Sequence, residues 1–450
     1  MSNKSRQTKL NVHVRWRPLN ESESTDGQIN QQSSVTTKSS SLLSVSVKTQ
    51  NPGNDRPWTS SPAFKAVFSE ADDNARVYDS IVSPAISQVL AGSSCNFFAY
   101  GHSGSGKTHT IIGYDFENDR NLGLCLAASR KLFEALDTSN QGDGKPGFGI
   151  GFSLFELRKN IAFDLLNGRT ECHIREGPDG KTHIRGRTEL LEGGKVRVRP
   201  LAQRPCWTYE ALREELRQSL GKRAMGSSSV HDQSSRTHAV LKLEVINREL
   251  MEAREALVDR ESELVPVGKR ATDISIEEQT KGVVRNADGT WEPNPEYQVN
   301  QKRIDEAEAE KAQYEARVAA AEEHINTILS SSKAQCVGAK MVFVDLAGSE
   351  YQHEKGAQAL TMKQTPQERQ EGRQINTDLL ALKEVIRAWS TNQSRIPFRS
   401  SPLTMVLREH FLGCGDGASA MIVAVSPANN QHAATLNSLK YGSLVGMAGS

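Results

Sequence analysis

An α/β fold is predicted by three stretches of this sequence, each joining a strand-like apolar run to a polar turn. Cys95-Asn96-Phe97-Phe98-Ala99-Tyr100 leads into Gly101-His102-Ser103-Gly104-Ser105-Gly106-Lys107-Thr108. Ser234-Ser235-Arg236-Thr237-His238 leads into the alternating Val240, Leu241, Leu243 and Val245. Met341-Val342-Phe343-Val344 ends in Asp345-Leu346-Ala347-Gly348-Ser349-Glu350. The first turn fits G-x-x-x-x-G-K-[ST], whose glycines let successive backbone N–H groups point inward as an anion nest before a helix opens near Lys107. That is a phosphate cradle. Lys107 would reach the β- and γ-phosphates, and the Thr108 hydroxyl would be a ligand of Mg2+, a hard cation that takes oxygen. An acid ending a neighbouring strand is needed to hold the metal's water shell, and Asp345 falls there. Gly348 can offer its backbone N–H to the γ-phosphate, and the Ser235 hydroxyl can complete the metal's coordination.

The remaining elements follow from periodicity. Asn11 to Arg17 reads as the first strand, and residues 21–62 are Ser/Thr/Asn/Gln-rich around one strand-like piece, Leu42 to Val47, which suits small β-hairpins or partial disorder. Phe64 to Phe68 is a short strand; Val77, Ile81, Ala85 and Val89 make Asn74 to Leu90 helical. Leu122, Leu124, Leu132 and Leu136 fit another helix, Phe152 to Leu157 a strand, and Ile161 to Leu166 a turn. Lys195-Val196-Arg197-Val198-Arg199-Pro200 alternates Val and Arg, which suits either an edge strand with a solvated face or a contact with an acidic partner. Between Ile246 and Ala339 lies an insertion. Its second half carries Ile304, Ala307, Lys311, Tyr314, Val318, Ala321, Ile325 and Ile328 at alternating spacings of three and four, and its first half Leu250, Ala253, Leu257 and Leu264. An antiparallel helical hairpin is the economical arrangement, with Val265 to Tyr297 as its tip. Tyr351 to Gly372 is polar loop; Ile375, Leu379, Leu382, Val385 and Ile386 mark a helix from Gln374 to Trp389. Ser419 to Val425 is the last strand and Thr435 to Val445 the last helix.

Composition narrows the function classes. With 450 residues and 37% hydrophobic content the chain can bury a sizeable core, and its net charge of +1 points to neither nucleic acid nor membrane. The 6 cysteines form no C-x-x-C pair, against a disulfide framework or a zinc site and for a reducing compartment. No run approaches the length of a membrane span.

Weaker motifs keep the same order along the chain: Arg15-Trp16-Arg17-Pro18, Phe155-Glu156-Leu157 with Asp164-Leu165-Leu166, Ile375-Asn376 with Leu379, Pro397-Phe398-Arg399 and Thr435-Leu436-Asn437. Together with the three turns they resemble the kinesin motor domain, from about residue 9 to about residue 445. Asn376 to Arg387 and Arg399 to Phe411 look most like the internal-motor kinesins that depolymerise microtubules, though no Lys-Val-Asp tripeptide stands in residues 21–62. The resemblance implies a P-loop NTPase fold, a central mixed β-sheet with helices on both faces, with ATP and Mg2+ as cofactors. It implies microtubules (tubulin) as partner, and a place in the cytoplasm on the microtubule cytoskeleton, the spindle included. One motor domain, residues 9–247 and 339–446, is then interrupted by the 248–338 hairpin, a site for a protein partner, and flanked by a flexible N-terminus, 1–8, and a tail, 447–450.

Carried onto this sequence, the nucleotide-binding set is Arg15, Arg17 and Pro18 against the adenine, His109 on its other side, and Gly101, His102, Ser103, Gly104, Ser105, Gly106, Lys107 and Thr108 around the phosphates. The metal set is Thr108, Ser235 and Asp345; the catalytic set is Lys107, Ser235, Arg236, Gly348 and Glu350, with Arg236 and Glu350 latching the two switch segments. Glu350 is the distal proton acceptor through a water chain. Lys383, Arg387 and Arg399 are microtubule contacts by the same resemblance. The chain departs from the family at His231, where an asparagine is usual, at Arg158-Lys159, usually Tyr-Asn, and at Pro402, usually lysine. The residues at His231, Thr377, Asp378 and Pro402 keep a second reading open: a non-motile module that holds nucleotide, turns it over slowly and recruits a partner through the hairpin.

Overall fold

The computed structural model describes residues 10–23, 28–35, 42–48, 57–139, 147–177, 180–224, 236–331, 335–349, 366–391, 393–412 and 417–448. They form two compact units: Met1–Ile184, Leu201–Ile246 and Cys336–Ser450 in the first, Arg185–Pro200 and Asn247–Gln335 in the second.

The strands run β1 Leu10–Trp16, β2 Asn30–Val35, β3 Leu43–Lys48, β4 Trp58–Thr59, β5 Ala66–Phe68, β6 Cys95–Tyr100, β7 Phe148–Arg158, β8 Ile161–Asp164, β9 Thr170–Glu176, β10 Thr182–Leu190, β11 Val196–Pro200, β12 Arg204–Cys206, β13 His238–Asn247, β14 Val283–Arg285, β15 Trp291–Pro293, β16 Lys340–Asp345 and β17 Ser419–Val425. The helices are α1 Asn74–Ile81, α2 Ser83–Leu90, α3 Lys107–Ile111, α4 Leu124–Ser139, α5 Tyr209–Ala224, α6 Arg248–Lys281, α7 Gln301–Leu329, α8 Pro366–Ser390, α9 Pro402–Leu412 and α10 His432–Ala448.

In the first unit β6 lies at the middle of a mixed sheet ordered β9-β8-β7-β13-β16-β6-β17-β1-β5, with β12 also paired to β7. β6 is parallel to both β16 and β17, and β13 is antiparallel to β16. The side chains of β6 alternate between two separate cores: Cys95, Phe97 and Ala99 pack with α1, α2, α4 and α5, whereas Phe98 and Tyr100 pack with α8, α9 and α10. Helices therefore cover both faces. This is why β6, β16 and β17 read as continuous apolar runs rather than alternating ones.

Several elements differ from the sequence expectation. The helix over Asn74 to Leu90 is broken at Val82, because Pro84 in the next turn supplies no N–H. Ile161–Asp164 is a strand, not a turn, paired with Leu157 and its neighbours on β7. Residues 30–35 pair with β3 in a three-stranded sheet, where the sequence left small hairpins and partial disorder both open. α8 begins at Pro366, so residues 366–372 are helical, and α10 extends to Ala448.

In the second unit α6 and α7 run side by side. The expected seam of α7 is the face turned inward: Ala307 and Ile328 are buried, the other six seam positions half-buried, and most of the rest exposed. α6 continues to Lys281 rather than ending near Leu264, carrying Pro266 within the helix. Its inward positions Leu264, Val267, Ala271 and Glu278 hold the same seven-residue repeat, so the packed face outweighs the single hydrogen bond that proline removes. The tip is short: β14 and β15 pair from Val283↔Pro293 to Arg285↔Trp291. Buried Glu278 organises it, accepting from Tyr297 OH (2.6 Å), Asn300 N (3.0 Å) and Arg303 Nη1 (2.7 Å). These bonds, Tyr297's first, pull its carboxyl down to about 2. The basic strand β11 belongs to this unit, where Arg197 pairs with Asp259 of α6 (2.5 Å), Lys195 with Glu263 (3.7 Å), and Arg199 with Glu189 (3.1 Å).

Candidate nucleotide site

A cavity of about 680 Å3 opens in the first unit, within the range of small-ligand sites. Its walls include Ser103 to His109, and also Arg15, Arg17 and Pro18. Ten of the residues that the sequence assigned to nucleotide thus meet on one cavity. The loop shape is set by backbone conformation. Gly106 has φ 94° immediately before α3, a left-handed conformation that costs a side-chain-bearing residue dearly. Lys107 is buried and folds back over the loop, its Nζ donating to the carbonyls of Gly101 (3.0 Å) and His102 (2.7 Å). The Ser105 hydroxyl is buried with no partner among the described residues. A polyanion with several acceptor oxygens suits such a set of donors.

Thr108 and Asp345 come together: Thr108 Oγ1 donates to Asp345 Oδ2 at 2.7 Å. A hydroxyl beside a carboxylate at the edge of a phosphate loop is oxygen-only chemistry, which fits Mg2+. Gly348 packs directly on the loop; a Cβ there would lie 2.7 Å from Ser103 N, so no larger residue fits. Ser349 N donates to Gly101 O at 3.2 Å, tying the segment after Asp345 to the cradle. Ser235, His231 and Glu350 lie outside the described residues, as does the expected latch between Arg236 and Glu350; Arg236 itself is half-buried.

Two assigned residues do not line the cavity. His102 is buried behind the loop, its Nδ1 2.7 Å from Ser103 O and its Nε2 3.5 Å from Thr435 Oγ1. Burial, then Lys107, pushes its pKa down to about 4, so the ring is neutral. Gly101 likewise lies behind the cavity, at the end of β6.

The base end of the cavity is more tightly built than its sequence suggests. Arg15 lines the cavity but is buried, its guanidinium held by Asn74 Oδ1 (2.5 Å) and Thr110 Oγ1 (2.8 Å). Burial lowers its pKa to about 10, still protonated at neutral pH. Asn74 in turn donates to the carbonyls of His109 (3.0 Å) and Asn121 (3.1 Å). Arg17 makes a two-pronged bond to Glu23 (2.7 and 2.5 Å). Sequence reading missed Asn74, Glu23 and Tyr114, which also borders the cavity. None carries a motif; Glu23 sits in a polar stretch with no periodicity to mark it.

A further cluster links the strand after the second turn to α8. His238 Nδ1 accepts from Ala347 N (3.1 Å), and its Nε2 lies 3.9 Å from Asp378. Burial pushes His238 down to about 3 and Asp378 up to about 6, so the histidine is neutral at pH 7 and cannot compensate the acid. The unusual Arg158-Lys159 pair also has a partner: both approach Glu371 near the start of α8, at 2.7 and 3.8 Å. Arg399 is engaged as well, donating to Glu176 at 2.8 and 2.6 Å.

Comparison with known proteins adds the family. The model of the kinesin motor domain matches residues 15–267 and 317–447. The kinesin-like protein KIN-13B of Arabidopsis thaliana is 28% identical over 433 residues, covering 96% of this chain and 46% of its own length. The kinesin-like protein KIF24 of Homo sapiens is 26% identical over 434 residues, covering 96% of this chain and 23% of its own. The chain thus spans less than half the length of these relatives. Among solved structures, a kinesin motor ATPase studied through mutants in its activation pathway superposes with TM-score 0.58 at 19% identity, covering 97% of this chain and 99% of that one. The C-terminal motor and motor homology domain of Kar3Vik1 gives 0.59 at 18%, covering 97% and 84%. Among the described residues no helix is long and apolar enough to cross a membrane.

Proposed function

This chain belongs to the kinesin motor domain family, and from that premise we propose that it binds microtubules and hydrolyses ATP, using the cycle for microtubule-based movement or for regulation of microtubule ends. The observation that carries the reading is the single cavity where the 103–109 loop, Arg15, Arg17 and Pro18 converge beside the Thr108–Asp345 contact. In this reading Lys107 leaves its two carbonyl partners for the β- and γ-phosphates, and Gly348 presents its N–H to the γ-phosphate. Thr108, Asp345 and Ser235 would hold Mg2+, which when bound would supply charge neutralisation on the phosphate oxygens. Arg236 and Glu350 latch the two switches, and Glu350 takes the proton from the attacking water through a water chain. Catalysis is positioning and charge stabilisation. Residues 9–247 and 339–446 make up the motor domain, and 248–338 is an arm for a protein partner; the place of action is the microtubule cytoskeleton.

One observation favours the slower-turnover adaptor as the second reading. Cations expected to meet acidic tubulin are already paired within the chain, Arg197 with Asp259 and Arg399 with Glu176. Steady-state ATPase of the purified chain, with and without taxol-stabilised microtubules at low and moderate salt, separates the two. Stimulation that falls with salt supports the motor. Bound nucleotide with no stimulation supports the adaptor.

A further inference from the structure

We propose that Tyr114 joins His109 in an aromatic wall that stacks on the nucleotide's base and sets much of the affinity for it. The inference rests on the nucleotide-binding reading above and extends it to a residue outside every motif of the sequence. α3 is a single short helix from Lys107 to Ile111, and Gly113 N still bonds to Thr108 O at 3.0 Å. Tyr114 therefore emerges just past the helix end, which lies about 6 Å along the axis from Lys107 by the rise of a helix.

The ring is placed for contact. Tyr114 lines the same cavity as His109, Arg17 and Pro18, and the two ring centroids lie 5.9 Å apart with planes at 47°. Tyr114 is 57% exposed, an unusual state for a large aromatic that is not packed in a core. The loop that carries it is anchored: a Cβ on Gly123 would lie 2.1 Å from the Ile112 carbonyl carbon, so the returning segment crosses the exit of α3 in direct contact. His109 is partly buried, so its ring is held in place beside the tyrosine. A base entering between these rings and the Arg17–Pro18 segment replaces water on the exposed tyrosine face with π contact.

The test measures affinities of MgADP and of Mg-pyrophosphate, which has no base, for the wild-type chain and for Tyr114→Ala, Tyr114→Phe and Lys107→Ala. Stacking on a base is worth about 1–3 kcal/mol by alanine substitution, so Tyr114→Ala should weaken MgADP by about fivefold or more. Pyrophosphate affinity should be unchanged, and Tyr114→Phe should keep wild-type MgADP affinity. Lys107→Ala should lose both ligands. Unchanged MgADP affinity in Tyr114→Ala, with Lys107→Ala still defective, overturns the stacking role and leaves the nucleotide reading standing. Equal weakening of both ligands by Tyr114→Ala also overturns it, since that means the loop has collapsed. A wild-type chain that binds neither ligand removes the nucleotide reading and this inference with it.

Discussion

Glu23 offers a quantitative test of how the base end of the cavity is held. Its carboxylate takes both prongs of Arg17 (2.7 and 2.5 Å), the N–H of Asn20 (3.0 Å) and the amide of Gln431 (3.4 Å). Side-chain exposures are 11% for Arg17 and 10% for Glu23. An exposed ion pair would contribute about 0–1 kcal/mol, whereas removing one partner of a fully buried pair costs about 3–5 kcal/mol. This pair is nearly covered, yet Arg17 borders an open cavity through which water screens it. A coupling energy of about 2 kcal/mol follows, in the range of hydrogen bonds to charged groups. The assay is a double-mutant cycle with Arg17→Ala, Glu23→Ala and the double variant, read by urea unfolding at pH 7. The hydrogen bond from Arg17 is the largest influence holding the Glu23 carboxyl below its ordinary range, against burial. A depressed acid stabilises above its unfolded pKa, so the coupling should be whole at neutral pH and vanish as pH falls below about 4. Coupling under about 0.5 kcal/mol at pH 7 would refute the reasoning, because it is the size expected of independent sites.

Four further outcomes are expected. Lys107→Ala should lower ATP turnover at least a hundredfold, about 3 kcal/mol of charge stabilisation, with the circular dichroism spectrum unchanged. Asp378 titrates near 6 when folded, above an unfolded aspartate, so it stabilises fully below about 4 and that stability is lost as pH rises to about 6; Asp378→Asn should flatten this part of the stability–pH curve. Glu278→Gln weakens the clasp on Tyr297, Asn300 and Arg303, and amide exchange should quicken at 281–303 and not in β6 or β16. Replacing Leu250 to Gln335 by a short linker should leave basal ATP hydrolysis in place; loss of hydrolysis with the fold retained would contradict an arm outside the active site.

The features that sequence revealed are those with a local physical signature. Glycines forced by a left-handed turn, a lysine at fixed spacing, apolar runs buried on both faces and the heptad seam of α7 are written in consecutive residues. What escaped depends on partners distant in sequence. Arg15 is indistinguishable from a base-contacting arginine until Asn74 and Thr110 are seen to hold its guanidinium. Arg158-Lys159 looked like an unexplained departure, and Glu371 supplies the missing partner from a residue far along the chain. The extension of α6 through Pro266 was hidden because proline is read as a stop, and only tertiary packing overrides that reading.

Strand register explains why motifs so far apart in the chain converge, and where an insertion can enter without disturbing them. Asp345 pairs with Ala99 across parallel β16 and β6, placing the acid two residues short of the cradle's first glycine. Ala239 pairs with Asp345 across antiparallel β13 and β16, so the turn carrying Arg236 arrives at the same end of the sheet. Antiparallel pairing then fixes the other end. Val245 N donates to Ala339 O (3.0 Å) and Val245 O accepts from Gly338 N (2.8 Å), six residues and roughly 20 Å along β13 from Ala239 by strand rise. The chain leaves and re-enters the sheet at that closed end. A hairpin or a long helical arm can join these two residues with little difference in closure entropy, which grows only logarithmically with length. The register of β13 on β16 is pinned by every pair between Ala239 and Glu244, so the insertion enters beyond a strand pairing that is already fixed.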